Sequence, residues 1–300
     1  MDILKEIAGL KSARNAVILA HNYTDGAIQD IADYVGDSLE LSRKAAGCNA
    51  PVIVFCGVRF MAETAKILSP EAIVLHPEPG AGCPMADMAD PDEVAAYRKA
   101  HPDVTLVAYV NTTAATKREV DLCCTSGNAE KIIARLPEGK QIMFLPDANL
   151  GRNVSGKLNR PMRFWHGCCP IHDKITVSDI VNARAAHPGA AVMVHPECRP
   201  EVVAVADAAL STGGMLSYVR DSGATEFIVG TEIGILHRMQ KENPGKNFYP
   251  LEPAPVCEDM KKITLEKIRD TLRDMSPRIE LDADTIARAA APIAKMLEIS

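Results

Sequence analysis

The stretch VILAHNY, residues 17–23, has the pattern of a buried β-strand that ends in polar side chains, and related stretches recur twice. They are LVAYVNT at residues 106–112 and VMVHPEC at residues 192–198. Each carries a His or Tyr and a second polar side chain two positions later: His21 with Tyr23, Tyr109 with Asn111, and His195 with Glu197. The first members of these pairs are 88 and 86 positions apart, which indicates an internal repeat of about 85 residues.

Two further features follow the same period. A hydroxyl side chain lies 17 positions after each strand-end His or Tyr, at Ser38, Ser126 and Thr212. A cysteine comes later in each copy, after a strand, a helix and another short strand: Cys83, Cys169 and Cys257, spaced by 86 and 88 positions. Three features at near-constant offsets predict that the chain is a triplicated α/β unit.

Short apolar runs alternate with amphipathic helical segments along the whole chain. The runs predicted as strands are NAVILA, PVIVF, AIVL, VTLVAYV, QIMFL, AAVMV and EFIVG. Because alternating strands and helices favour parallel sheets with right-handed crossovers, we predict three homologous α/β domains around a pseudo-threefold axis. We place them at residues 1–84, 85–171 and 172–260, with the C-terminal helices of residues 261–300 packed near the first.

The composition limits the classes of partner. The chain of 300 residues is 47% hydrophobic, has a net charge of −6 and contains no basic block, which argues against nucleic-acid and polybasic membrane binding. No apolar run approaches the roughly 18 residues of a membrane span. The first residues, MDILKEIAGLKSARN, have the pattern of an amphipathic helix and not of a signal peptide. We therefore expect a cytoplasmic protein with no nucleic-acid or membrane partner.

The strand ends predict one central cavity. Open α/β sheets bind ligands beyond the carboxyl ends of their strands, and three such sheets around an axis would face one space. The expected lining is His21, Tyr23, Tyr109, Asn111, His195 and Glu197. We expect Ser38, Ser126 and Thr212 to cap helices at this space, where free N–H groups favour phosphate or carboxylate.

The repeated cysteines predict a metal centre. Three thiolates converging on the axis would suit a [4Fe–4S] cluster with one iron left open as a Lewis acid, or a zinc ion with a bound water. Of two adjacent cysteines we prefer Cys169 to Cys168, because Cys169 precedes Pro170 as Cys83 precedes Pro84. The remaining cysteines follow no threefold pattern and are predicted to pack in the core: Cys48, Cys56, Cys123, Cys124 and Cys198.

A group of motifs resembles the quinolinate synthase family, the A proteins of NAD biosynthesis, along essentially the whole chain. The motifs are LAHNY, DIADYVGDSLELSRKA, FMAETAKIL, CPMA, YVNTTA, CTSGNA, PDANLG, CCPIH, VHPEC, STGGM and GTEIGILHRM. The resemblance implies three Rossmann-like αβα domains and a [4Fe–4S] cluster held by one cysteine from each. It also implies condensation of iminoaspartate with dihydroxyacetone phosphate to give quinolinate, phosphate and water.

The resemblance assigns roles to residues of this chain. The implied cluster ligands are Cys83, Cys169 and Cys257. The implied substrate-binding residues are His21, Tyr23, Ser38, Tyr109, Asn111, Ser126, His172, His195, Glu197, Ser211 and Thr212. Glu197 is the expected general acid or base, with Tyr23 and His195 assisting. Ser38 and Ser126 would hold the triose phosphate, and His195, Ser211 and Thr212 the carboxylates.

The chain departs from the family at two places. Cys168 stands where members usually have His, and Cys257 is not followed by the CxxC that some members carry, so a redox switch there is not expected. The implied partner is an aspartate-oxidising enzyme that supplies iminoaspartate. Two alternatives share the residue pattern: a zinc-dependent lyase or aldolase acting on a triose phosphate, and a non-catalytic iron–sulfur sensor. The sensor would not require a cavity lined by acid–base and anion-binding groups.

Overall fold

The computed structural model describes residues 2–299, and its helices and strands follow one order three times. The first copy contains α1 (Ile3–Ala13), β1 (Ala16–His21), α2 (Gly26–Ile31), β2 (Tyr34–Gly36), α3 (Ser38–Ala46), β3 (Val52–Cys56), α4 (Arg59–Leu68), β4 (Ile73–Leu75) and α5 (Pro84–Asp87). The second contains α6 (Pro91–Ala100), β5 (Thr105–Tyr109), α7 (Ala114–Lys117), β6 (Leu122–Cys124), α8 (Ala129–Arg135), β7 (Ile142–Leu145), α9 (Ala148–Leu158) and β8 (Arg163–Phe164). The third contains α10 (Val177–Ala186), β9 (Ala191–Val194), α11 (Pro200–Val203), β10 (Ala208–Ala209), α12 (Thr212–Asp221), β11 (Glu226–Gly230), α13 (Ile235–Glu242), β12 (Asn247–Pro250) and α14 (Glu258–Lys261). Two helices follow, α15 (Leu265–Asp274) and α16 (Ala283–Ile299).

Each copy forms one sheet of four parallel strands with the same topology. The strand orders are β2-β1-β3-β4, β6-β5-β7-β8 and β10-β9-β11-β12. Strands β3 and β7 are buried along their whole length, as continuous apolar runs between two helical layers require. The prediction of an α/β protein with three Rossmann-like αβα units is confirmed.

An aspartate fixes the edge strand of each sheet. Its backbone N–H donates to a carbonyl of the first strand at 2.9–3.0 Å, and its carboxylate accepts the N–H of that same residue at 2.7–2.8 Å. The pairs are Asp33 with Ile18, Asp121 with Leu106, and Asp207 with Val192. A basic side chain on the helix before the first strand of each sheet contacts this carboxylate. The basic residues are Lys11, Arg98 and Arg184, at 2.7, 2.8 and 3.0 Å.

This repeated contact explains the strands that the sequence did not predict. Strands β2, β6 and β10 have only two or three residues each and lie at sheet edges. Such short segments carry too little hydrophobic pattern to be recognised. The aspartate that precedes each one binds it to the first strand of its sheet, so the edge pairs form without a long apolar run.

The two C-terminal helices pack in different places. Helix α15 lies against α1, where Ile268 and Leu272 join the core of the first copy. Helix α16 lies against β6, α7 and α4, where Ala289 and Ile293 join the core of the second copy. The C-terminal segment therefore covers the first two copies together. Even α16, with 17 residues the longest helix here, does not qualify as a membrane span, and neither does any other helix within residues 2–299.

Replacing Asp33 with Ala should lower the free energy of unfolding by about 1–3 kcal/mol, because the buried N–H of Ile18 loses its side-chain acceptor. Asp33→Asn retains an acceptor oxygen and should cost less. Lys11→Ala removes only the partly exposed ion pair and should cost less than about 1 kcal/mol. Urea unfolding followed by circular dichroism measures all three, and equal losses for Asp33→Ala and Lys11→Ala would contradict the assignment.

Candidate active site

A cavity of about 320 Å³ lies where the three sheets present the carboxyl ends of their first strands. Strand β1 ends at His21, β5 ends at Tyr109, and β9 ends immediately before His195. The predicted site residues that line the cavity are His21, Tyr23, Ser38, Cys83, Tyr109, Asn111, Ser126, Cys169, His172, His195, Glu197, Thr212 and Cys257. Ser211 lies outside this lining and caps α12, where its hydroxyl accepts the N–H of Gly214 at 3.1 Å.

Two histidines in equivalent positions share one local geometry. The Nδ1 atom of His21 accepts the backbone N–H of Tyr23 at 3.2 Å, and that of His195 accepts the N–H of Glu197 at 3.3 Å. Burial lowers the pKa of each imidazole to about 3, so both rings are neutral at physiological pH. With Nδ1 engaged as an acceptor, each neutral ring carries its proton on Nε2. The lining therefore contains two N–H donors suited to anionic oxygen atoms.

Glu197 is a buried carboxylate held by donors from other parts of the chain. Its Oε2 atom lies 2.7 Å from Nδ1 of His172, and the phenol of Tyr109 also donates to the carboxylate. Burial acts to raise the pKa of Glu197, but the hydrogen bonds from His172 and Tyr109 favour the carboxylate and lower the pKa. The carboxylate is therefore ionised at neutral pH and available to accept a proton.

A threonine that the sequence analysis did not single out lies directly behind this group. The hydroxyl of Thr231 is 2.5 Å from the phenol oxygen of Tyr23 and 2.8 Å from Nε2 of His172. Thr231 is 1% exposed and follows the last residue of β11. When the strand registers of the three copies are compared, the positions equivalent to Thr231 are Gly57 and Pro146. The other two copies therefore have no similar residue at this place. Its only sequence signal was its place within the motif GTEIGILHRM.

The three periodic cysteines repeat one main-chain arrangement. Each sulfur accepts backbone N–H groups from the turn that follows it. The donors are Met85 and Ala86 for Cys83, His172 for Cys169, and Asp259 and Met260 for Cys257. These N–H groups favour the thiolate, which is the form that binds metals. The donor set therefore fits a sulfur-ligated metal centre.

Burial opposes ionisation of the same three thiols. It raises the pKa of Cys83 to about 12, and it raises the pKa of Cys169 and of Cys257 above the usual range. Without a positive charge nearby, the three cysteines would thus remain protonated at neutral pH. A metal centre would supply that charge, because coordinating thiols lose their protons.

The arrangement of ligand atoms bears on the kind of metal. Within the described chain, one group of three side chains brings its ligand atoms within 4.8 Å of one another: Cys169, His172 and Glu197. Cys83 and Cys257 are outside this group. A single tetrahedral zinc bound by three thiolates requires sulfurs about 3.8 Å apart. Within the described residues the three periodic sulfurs are not all within 4.8 Å of one another, so at least one pair is too far apart for a single tetrahedral zinc.

The non-periodic cysteines are found largely in the core. Cys56, Cys123, Cys124 and Cys198 are buried within apolar clusters, so the packing prediction for these four is confirmed. Cys48 is half-buried and packs against an apolar cluster of the first copy. Cys168 is half-buried and lies outside the cavity lining formed by residues 2–299, whereas its neighbour Cys169 lies within it.

The hydroxyl residues at the helix starts are not the caps that we expected. Asp37 and Ser211 cap α3 and α12, while Ser38 and Thr212 are the first residues of those helices. The carboxylate of Asp37 accepts N–H groups of α3 and also the N–H of Gly213 in α12. Asp37 therefore occupies N–H groups that the sequence analysis assigns to an anionic ligand. The hydroxyls of Ser38 and Thr212 do not cap their helices.

One cavity-lining polar atom of the second copy, Oδ1 of Asn111, is buried without a hydrogen-bond partner within the described residues. Among the atoms of residues 2–299, none forms a hydrogen bond with Oδ1 of Asn111. Asn111 lines the cavity two positions after Tyr109, whose phenol also bonds Ser126. A buried amide oxygen without a partner is costly, so this atom marks a contact that a bound molecule would complete.

A buried glutamate joins the loop of the third cysteine to the first copy. The carboxylate of Glu232 accepts the N–H of Cys257 at 3.3 Å and lies 3.1 Å from Nζ of Lys261, which donates to the carbonyl of Tyr23 at 2.7 Å. A Cβ atom on Gly234 would lie 2.6 Å from that same carbonyl, so glycine is required there. The motif around Glu232 thus fixes Tyr23 and Cys257 relative to each other.

The other residues that line the cavity were not predicted, because they do not recur at the period of the repeat. Their apolar members include Val58, Phe60, Met61, Met85, Val256 and Met260. Such residues look like ordinary core residues in a sequence. Lys174 is the exposed cationic side chain in the lining within residues 2–299, and Glu258 and Asp259 lie beside the third cysteine.

Comparison with known proteins identifies the family of the chain. The family model described as Quinolinate synthetase A protein matches residues 5–298. Curated relatives named quinolinate synthase are 50% identical in Methanoregula boonei, 50% in Dehalococcoides mccartyi and 48% in Desulforudis audaxviator. These matches cover 98–99% of this chain and 97–98% of the relatives. The chain therefore belongs to the quinolinate synthase family.

Proposed function

We propose that this chain condenses iminoaspartate with dihydroxyacetone phosphate and releases quinolinate, phosphate and water. Its family consists of enzymes of NAD biosynthesis. The observation that carries the proposal is a single cavity that combines three thiols, two neutral imidazole donors and an ionised carboxylate. Condensation followed by loss of water requires anion binding, proton transfer and a Lewis acid, and this lining contains groups for each.

We propose a [4Fe–4S] cluster held by Cys83, Cys169 and Cys257. The support is the repeated set of N–H groups at the three sulfurs and the separation of at least one pair of these sulfurs by more than 4.8 Å. When bound, such a cluster would supply one iron without a protein thiolate as a Lewis acid. All nine cysteines are unpaired thiols, which supports the further proposal that the protein works in the reducing cytoplasm.

The substrates that we propose are both anionic, and the lining offers neutral donors to them. The Nε2–H groups of His21 and His195 and the hydroxyl of Thr212 would bind carboxylate oxygens. We assign the triose phosphate to Ser126 and Ser38. Ser126 is the better candidate, since the start of α8 has no side-chain cap, whereas Asp37 places a carboxylate beside Ser38.

Glu197 is the proposed proton acceptor. Its carboxylate is ionised and buried beside the proposed carboxylate-binding imidazoles, so a substrate proton could reach it without passing through solvent. His172 and Tyr109 hold it in place, and Tyr23 is positioned to assist from the first copy. Ser211 would act indirectly, by holding the start of α12. Because iminoaspartate hydrolyses readily, we also propose that an aspartate-oxidising enzyme supplies it.

A zinc-dependent lyase or aldolase acting on a triose phosphate is the second candidate. The compact group of Cys169, His172 and Glu197 favours it, because a thiolate, an imidazole and a carboxylate suit one zinc ion with an open position. It leaves Cys83 and Cys257 without a role.

Anaerobic reconstitution should give about four iron and four sulfide per chain. Cys169→Ala should lose most of this content, and Cys168→Ala should keep it, because only Cys169 lies in the cavity lining within residues 2–299. Iron and acid-labile sulfide assays measure both. Zinc without sulfide would overturn the cluster and favour the lyase.

Glu197→Gln should lower the turnover number for quinolinate by about 10²–10⁴-fold, because the amide cannot accept the substrate proton. The matched control is Glu201→Gln, an exposed glutamate that should leave turnover unchanged. Anaerobic assays with equal iron content in all samples give the comparison. Near-normal turnover of Glu197→Gln would disprove the role.

Ser126→Ala should raise the KM for dihydroxyacetone phosphate about 10-fold, which is the loss expected for one hydrogen bond to a charged group. Ser178→Ala, an exposed serine on α10, is the control. An unchanged KM in Ser126→Ala would place the phosphate elsewhere in the cavity.

A further inference from the structure

Asn22 lies behind the cavity wall and bonds to a residue that lines the cavity. It follows the last residue of β1 and is fully buried. One polar atom of its side-chain amide contacts the hydroxyl of Thr212 at 3.1 Å, and the other contacts Nη1 of Arg238 at 3.0 Å. Thr212 belongs to the lining formed by residues 2–299, whereas Asn22 and Arg238 do not. Asn22 therefore acts on the cavity through Thr212.

Arg238 fixes the orientation of this amide. A guanidinium group only donates hydrogen bonds, so the atom of Asn22 that faces Arg238 is its oxygen, and the nitrogen faces Thr212. Arg238 is itself held in place, because Nη1 also donates to the carbonyl of Val35 at 2.8 Å and Nε lies 2.7 Å from Glu242. A reversed amide would direct its N–H groups at the guanidinium, where they find no acceptor.

The orientation of Asn22 decides what the hydroxyl of Thr212 offers to the cavity. An amide nitrogen only donates, so the hydroxyl accepts this bond with a lone pair and keeps its own proton. Among the atoms of residues 2–299, none accepts that proton. Because Thr212 is 3% exposed and lines the cavity, its proton faces a bound molecule more readily than bulk water. Thr212 is therefore a donor to a ligand atom.

We propose that Asn22, held by Arg238, is a positioning residue that makes Thr212 a dedicated hydrogen-bond donor to a substrate carboxylate. The inference rests on the proposed function and explains how one hydroxyl of that site is committed to an anionic oxygen. A threonine hydroxyl without a fixed partner can either donate or accept. The neutral rings of His21 and His195 also present N–H groups, and a carboxylate only accepts, so it gains from a wall in which each facing group donates.

Asn22→Asp reverses the bond with almost no change of shape. A carboxylate only accepts, so the hydroxyl of Thr212 would donate to it and turn its lone pairs toward the cavity. The new charge would pair with Arg238. The affinity for quinolinate, which has two carboxylates, should fall about 10–100-fold, the loss expected for one hydrogen bond to a charged group. Anaerobic calorimetry on the cluster-loaded enzyme measures this affinity.

Asn22→Ala separates the direction of the bond from packing. It removes the amide but leaves the hydroxyl of Thr212 free to donate, so it should weaken quinolinate binding less than Asn22→Asp does. A residue needed only for packing would give the opposite order, because alanine leaves a void that aspartate fills. That opposite order would overturn the inference.

A double-mutant cycle tests whether the effect passes through Thr212. Thr212→Val has no hydroxyl, so adding Asn22→Asp to it should cause almost no further loss of quinolinate affinity. Equal losses with and without the hydroxyl would indicate repulsion by the new charge and would overturn the inference. If Asn22→Asp does not fold, Arg238→Met replaces it, because the freed amide no longer fixes the hydroxyl. The control is Arg220→Met, which alters an exposed arginine of α12 and should leave quinolinate affinity unchanged.

The proposed function fails in a different way. Wild-type enzyme that neither makes nor binds quinolinate would refute the proposed function, and the inference with it. Wild-type enzyme that makes and binds quinolinate, beside an Asn22→Asp variant of equal affinity, would refute the inference alone.

Discussion

The charge on Glu197 depends on hydrogen-bond donors that other segments of the chain bring to it. A buried carboxylate without donors would be protonated, because transfer of its charge out of water is costly. His172 precedes the third sheet and Tyr109 ends a strand of the second, and both reach the same carboxylate. His172 in turn is held by Thr231, which also contacts Tyr23 of the first copy. The chemistry of one side chain therefore requires the three copies to stay in fixed positions.

Further contacts between the copies include hydrogen bonds from side chains to the backbone as well as bonds between side chains. Lys261 donates to the carbonyl of Tyr23, and Glu232 accepts from the N–H of Cys257. Arg238 of α13 donates to the side chain of Asn22, whose amide donates to Thr212 at 3.1 Å. Backbone groups hold their direction more rigidly than long side chains do. The alignment of the cavity wall thus follows from the alignment of the sheets.

The three copies share one fold, and the side chains that differ between them provide the functional groups of the cavity. The aspartates at the edge strands and the N–H groups at the cysteines recur in all three copies, because they satisfy the backbone of one repeated fold. The side chains at the strand ends differ: Tyr23, Asn111 and Glu197 occupy equivalent positions. A symmetric frame therefore encloses an asymmetric cavity, because each copy contributes different side chains to its lining.

The sequence by itself determined the repeat, the sheets and the set of residues at the strand ends, because each depends on local pattern and spacing. Thirteen of the fourteen distinct site residues that it indicated line one cavity, and Ser211 is the exception. The tertiary structure alone decided the roles of Thr231, Asp37 and Glu232. Thr231 and Asp37 have partners in other copies, and Glu232 reaches the first copy only through Lys261. Thr231 corresponds to glycine and proline elsewhere in the repeat. Spacing within a sequence identifies what is repeated, but contacts between copies form only when the sheets are brought together.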